Sequence, residues 1–197
     1  MPDPHSPSVS TPAQRPGLLT SGIYATRVVL LLWLVFLAQT VFTALNTWGI
    51  RPRSLEAPQG LIIGHFLHGN LQHLLHNSWA VLIFLWILVR WSPRLTWRAS
   101  ILIMLTCSIA TWSFGTVGSM HIGASGVIFG YFALIITNGL VRGSIGHFLL
   151  ALLVGLLYGG GIYAGVSQVV DGVSWIMHAS GLMGGILSAW LLRKSPA

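Results

Sequence analysis

Residues 118–130 read Gly-Ser-Met-His-Ile-Gly-Ala-Ser-Gly-Val-Ile-Phe-Gly, which sets Ser125 between small residues where a polar loop runs into an apolar helix. A serine in that position has an accessible hydroxyl. The unpaired backbone N–H groups of the helix start suit an oxyanion. Together they point to Ser125 as a nucleophile, although Gly, Ala and Ser also let membrane helices pack closely, so the motif needs company. A serine becomes nucleophilic when a base takes its proton, and a histidine is the usual base. Two regions supply histidines: residues 65–77 carry His65, His68, His73, His76 and Asn77, and His178 lies near the C-terminus. His73 and Asn77, four apart, fall on one helix face and can point together into a bundle.

The histidine cluster also has zinc-like i,i+3 spacing, in His65 with His68 and in His73 with His76. It has no neighbouring carboxylate and no HExxH, and Cys107 is distant in sequence and the sole cysteine, so neither a metal nor another cofactor is expected. The acidic residues are Asp3, Glu56 and Asp171, all in the tail or loop segments. This argues against a buried aspartate orienting the base, a two-aspartate protease and a zinc protease with a glutamate base. What remains is a Ser/His dyad with amide or imidazole donors for the oxyanion.

The elements that must position these groups are membrane spans. The chain has 197 residues, 54% hydrophobic and 7% charged, with mean hydropathy +0.77, whereas a soluble domain carries about a quarter charged residues. Composition therefore predicts an all-α, polytopic membrane protein with a bundle of six transmembrane helices. The spans are predicted at about 28–48, 65–89, 99–112, 125–140, 148–164 and 173–192. Residues 1–26, rich in Pro, Ser and Thr, read as a disordered cytoplasmic tail, residues 27–193 as the membrane domain, and residues 194–197 as a cytoplasmic C-terminal tail. Pro93 is expected to break the chain in a cytoplasmic turn over Arg90–Arg98.

The net charge of +7 is a topology signal. With six spans and a cytoplasmic N-terminus only Arg51 and Arg53 face outward, so the positive-inside rule places both termini in the cytoplasm. No basic stripe on a folded surface calls for nucleic acid. In this topology Ser125, His73 and His178 share one outer depth, and polar groups inside a membrane are costly and usually functional. Gly126, Gly130, Ala133 and Thr137 form a small-residue ridge beside Ser125, and Ser174, Gly181, Gly185 and Ser188 lie on the His178 side of the last span. His65, His68, His76 and His121 read as structural or water-holding, and Asn70, Asn138 and Gln168 as cap or loop residues.

The spaced motifs GxSG at Gly123–Gly126, HxxxN at His73–Asn77 and HxxGxxxG at His178, Gly181 and Gly185, with Phe66-Leu67-His68 ahead of the second span, resemble the rhomboid intramembrane serine proteases. The resemblance covers residues 27–193 and is to bacterial members, which implies a multi-pass plasma-membrane protein with its active site opening to the outer side. It implies that Ser125 attacks the peptide carbonyl and that His178 is base and then acid. It further implies that His73, Asn77 and the Ser125 backbone N–H hold the oxyanion. The substrates it implies are membrane proteins cut in or near a transmembrane helix.

Two other readings stand beside it. One is a catalytically silent rhomboid-like protein that binds and escorts transmembrane helices; it would be favoured by loss of Ser125, His73, Asn77 or His178, all of which are present. The other is a transporter or metal channel built on the histidine cluster, indifferent to Ser125→Ala.

Overall fold

The computed structural model describes residues 15–141, 144–167 and 173–192. Within them the chain forms α1 (Leu18–Val41), a 3-10 turn (Thr43–Thr47), the short α2 (Gly60–Ile63), α3 (Leu71–Trp91), α4 (Pro93–Phe114), α5 (Ser125–Val141), α6 (Ile145–Ser167) and α7 (Trp175–Leu191). Among the described residues the β-type pairing is a single antiparallel bridge between Ile50 and His121. The molecule is an all-α, polytopic membrane protein. By length and composition α1, α3, α4 and α6 can each cross a membrane.

Helices α5 and α7 have 17 residues each and are therefore about 26 Å long, short of the ~30 Å hydrocarbon core. Ser125 is the first residue of α5, which the chain enters from a loop. α5 is central, packed by α3, α4, α6 and α7, while α1 leans on α3. Its sequence is apolar all round, as a helix surrounded by other helices requires.

The tightest seam is between α5 and α7. A Cβ at Gly181 would overlap the Gly126 carbonyl, and one at Gly185 would overlap the Gly130 carbonyl and press on Ala133 at 2.8 Å. The two expected small-residue faces therefore meet each other. Removing side chains lets the backbones approach and fixes the register of His178 against Ser125. α6 is the loosest member: among its described residues only Ala151 and Val154 are buried, and its Gly159, Gly160 and Gly161 face open space.

Several expected boundaries shift. α1 opens at Leu18, so residues 18–26, assigned to a disordered tail, are helical; residues 1–14 of that tail and the C-terminal residues 193–197 lie outside the described residues. Pro93 does not break a nine-residue turn. It occupies the first turn of α4 with Ser92 as N-cap, whose hydroxyl accepts from the Leu95 N–H at 3.3 Å. A proline there gives up an N–H that has no helical partner in any case. The third span is accordingly 22 residues rather than short. Asn138, expected as a cap or loop residue, is buried within α5; Gln168 lies outside the described residues.

The connection between α1 and α3 is tied to the loop before Ser125. Ile50 and His121 exchange N–H···O bonds of 2.9 Å each way, and the Gly123 N–H donates to the Gly64 carbonyl at 2.9 Å. Arg53 sits in the left-handed region at φ 54°. Its guanidinium donates to the Ser113 carbonyl at 2.7 Å and the Gly115 carbonyl at 2.9 Å, satisfying orphan groups at the C-terminus of α4. Arg51 and Arg53 thus lie at the same end of the bundle as the start of α5, and Arg90 and Arg94 lie at the opposite end, where α3 meets α4.

Candidate active site

Two N-caps set the site. Asn70 accepts from the His73 N–H at 2.8 Å, a bond worth about 1 kcal/mol in such positions. It starts α3 so that His73 falls in the first turn and Asn77 one turn deeper. Ser174 caps α7 by accepting from the Met177 N–H at 3.3 Å, and His178 follows one turn in. Ser125 is the first residue of α5, where the Ile128 N–H already reaches the Ala124 carbonyl. The Ser125 N–H is therefore one of the helix's orphan donors.

The structure brings Ser125 and His178 together. His178 Nε2 is 2.9 Å from Ser125 Oγ, and His178 Nδ1 is 2.8 Å from the Gly165 carbonyl. Gly165 lies in the last turn of α6, whose carbonyls lack helical partners and carry the negative end of the helix dipole. When Nδ1–H donates to that carbonyl, Nε2 is left free to accept from Ser125, which is the arrangement a general base needs. A carboxylate is the familiar orienting group; here a main-chain oxygen takes that place. The imidazole also stacks on Phe129, with ring centroids 4.0 Å apart and planes 11° from parallel. Phe129 is one turn beyond Ser125, so α5 carries both the serine and the surface that aligns its partner.

His73 and Asn77 meet the same turn from the other side. Gly123, at φ 115°, would place a Cβ 2.7 Å from His73 Nε2 and 3.5 Å from Asn77 Nδ2. Only glycine accepts both that backbone angle and that proximity. The space before Ser125 is thus walled by an imidazole and an amide with N–H groups to offer, and the described residues place no carboxylate there.

Asn77 is oriented by a residue first read as structural. His68 Nδ1 lies 3.1 Å from the Phe66 carbonyl, and His68 Nε2 lies 3.0 Å from Asn77 Nδ2. A proton on Nδ1 for the carbonyl makes Nε2 an acceptor. One amide hydrogen of Asn77 is held there and the other is left free. Gln39 of α1 grips the His68 backbone from both sides, accepting from its N–H at 3.1 Å and donating to its carbonyl at 3.2 Å. His65 instead meets Ser108 of α4 at 2.9 Å, while the Ser108 hydroxyl is also bonded to the Leu61 carbonyl. His65 and His68 therefore turn to different partners, and among the described residues no three His, Cys, Asp or Glu side chains gather as a metal centre.

Three features of the site escaped the sequence reading. Phe129 left a usable signal, an aromatic four residues after the serine. His68 left only its place in the histidine cluster. The Gly165 carbonyl left none, because a main-chain acceptor has no residue type.

Burial pushes His65 and His68, both in the connection before α3, down from 6.5 to about 4. Between those values the unfolded chain binds protons that the folded chain refuses, so stability falls as pH drops from about 6.5 towards 4 and levels off below. Thermal unfolding in detergent across that range should show a falling midpoint. His65→Gln, which can keep the Ser108 contact without titrating, should flatten the slope; an unchanged slope would contradict the assignment.

A bundle of membrane helices with a serine and a histidine in hydrogen-bond contact at one end, and no charged partner for them among the described residues, places the molecule among polytopic membrane proteins with a serine-centred polar site. The family model described as Rhomboid domain matches residues 57–195, and the chain belongs to the rhomboid family. An uncharacterized protein of Mycobacterium tuberculosis (strain H37Rv) is 36% identical over 200 residues, covering 96% of this chain and 82% of its own. An uncharacterized protein of Mycobacterium leprae is 34% identical over 186 residues, covering 88% of this chain and 72% of its own.

Proposed function

We propose that this chain is an active intramembrane serine protease that hydrolyses peptide bonds in or near the transmembrane segments of other membrane proteins. The 2.9 Å contact between His178 Nε2 and Ser125 Oγ carries the reading. Ser125 Oγ attacks the peptide carbonyl carbon while its proton passes to His178 Nε2. The oxygen that gains negative charge is held by the Ser125 N–H, Asn77 Nδ2 and the imidazole of His73. His178 then gives the proton to the departing amine as the C–N bond breaks, leaving an acyl group on Ser125. A water molecule, deprotonated by His178 in turn, releases the acid and restores the serine.

The substrate class follows from access. Hydrolysis needs water, and a peptide bond inside an intact helix is shielded by its own hydrogen bonds, so a substrate helix must unwind locally to be cut. The placement of Arg51 and Arg53 at the site's end, against Arg90, Arg94 and Arg98 on the far side, supports an outward-opening site with both termini in the cytoplasm.

The test is co-expression with a single-span reporter whose outer half contains helix-breaking residues, following appearance of the cut product. Wild-type protein should cleave it. Asn77→Ala should slow the cut by about 10- to 1000-fold through loss of one oxyanion donor. Reporter that co-purifies uncut with wild-type protein would instead make the chain a helix-binding relative.

A further inference from the structure

The His121 ring plays no part in the site described so far, yet both of its nitrogens are occupied. Its Nε2 lies 2.8 Å from Ser119 Oγ and its Nδ1 lies 2.7 Å from Ser174 Oγ. Its backbone is fixed by the bridge to Ile50. The ring therefore spans from the loop that delivers Ser125 to the N-cap of the helix that delivers His178.

The proton directions close without a leftover group. The Ser119 hydroxyl donates to the Thr116 carbonyl at 2.6 Å, so it can only accept from His121, which puts the ring proton on Nε2. Nδ1 is then an acceptor and takes the Ser174 hydroxyl proton, while Ser174 Oγ still accepts from the Met177 N–H at 3.3 Å. A neutral imidazole is what this circuit requires, and burial lowers the His121 pKa, which favours that form. The His178 N–H donates to the Ser174 carbonyl at 3.1 Å, so a displacement of Ser174 is passed directly to the base. The same three residues, His121, Ser119 and Ser174, stand on the wall of a cleft of about 570 Å³ that His73 also lines, so the link borders that cleft.

We propose that His121 is a positioning residue that clamps the outer end of α7 to the loop before α5, and so sets the His178–Ser125 distance. This rests on the protease reading above. A ring with acceptor and donor on opposite sides is suited to the task because it bridges two hydroxyls rigidly across a gap. Its effect belongs to the chemical step, which depends on alignment to within about an ångström, more than to substrate binding.

The experiment uses full-length protein in detergent and reads two quantities. One is the rate at which a fluorophosphonate probe modifies Ser125; the other is kcat and KM for the single-span reporter. The variants are His121→Asn and His121→Gln, because an Asn side chain places a polar atom where Nδ1 lies and a Gln side chain places one where Nε2 lies. His121→Asn keeps the reach to Ser174 and should stay within about 3-fold of wild type. His121→Gln loses that reach and should fall about 10- to 100-fold in probe rate and in kcat, with KM little changed and a similar unfolding midpoint. Equal rates for both variants and wild type would overturn the clamp, as would equal losses accompanied by a lowered midpoint, which would make His121 merely structural. Wild-type protein that neither reacts with the probe nor cuts the reporter would bring down the protease reading and this inference with it.

Discussion

Ser125→Ala is expected to abolish cleavage of a single-span reporter, a fall of at least about 1000-fold against wild type. No other hydroxyl is within the described hydrogen bonds of His178, so removing Oγ leaves the imidazole without a nucleophile to activate. His178→Ala should do nearly as much harm, because the remaining hydroxyl keeps its ordinary, weakly nucleophilic character. Groups that act as one unit are not additive, so the double variant should be no slower than Ser125→Ala alone. The measurement is product formation over time in co-expressing cells, with membrane levels of each variant matched by immunoblot. Ser125 makes no large apolar contact, so the Ser125→Ala protein should accumulate normally; His178→Ala gives up the stack on Phe129, and matching membrane levels separates any loss of stability from loss of chemistry. Cleavage at wild-type rate by Ser125→Ala would remove the nucleophile assignment.

The second large effect is on folding. Gly181→Val would drive a branched side chain into the Gly126 carbonyl, where neither backbone can give way without separating α5 from α7. Overpacking usually costs about 1–3 kcal/mol. Here the obstacle is main chain, so a loss of about 3 kcal/mol or more is expected, together with loss of cleavage because His178 rides on the displaced helix. Gly160→Val is the control, since a Cβ at Gly160 meets nothing within 4 Å; its unfolding midpoint in detergent should stay close to wild type. A Gly181→Val protein as stable as wild type would mean that the α5–α7 seam is looser than its geometry shows.

Much of this architecture was legible because membrane spans announce themselves by composition, and because small residues at i, i+4 spacing can do little else than let helices touch. Gly126 and Gly130 facing Gly181 and Gly185 is the clearest case. The meeting of Ser125 with His178, 53 positions apart, was legible from shared depth and from spaced motifs rather than from any local pattern. Helix starts were harder to read. Leu18 begins α1 before the strongly apolar stretch does, since helix geometry continues for as long as nothing stops it. Pro93 has two opposite uses, breaker inside a helix and favoured residue in its first turn, and Ser92 immediately before it was the signal for the second. Asn138 was misplaced because a polar amide in an apolar run looks like an end when it can equally be an interior residue. The tie between Arg53 and the end of α4 depends on a left-handed arginine, a conformation that glycine or asparagine would have signalled and arginine does not.

The acceptor that orients His178 is a peptide oxygen, and this has a consequence for genetics. An alanine scan deletes side chains one at a time, and no variant in such a scan deletes the Gly165 oxygen. Gly165→Ala would register a defect by crowding Phe129 and the imidazole, and a reader of the scan would assign the defect to bulk. The hydrogen bond itself would escape notice, visible only to an amide-to-ester replacement that weakens the carbonyl without changing its shape.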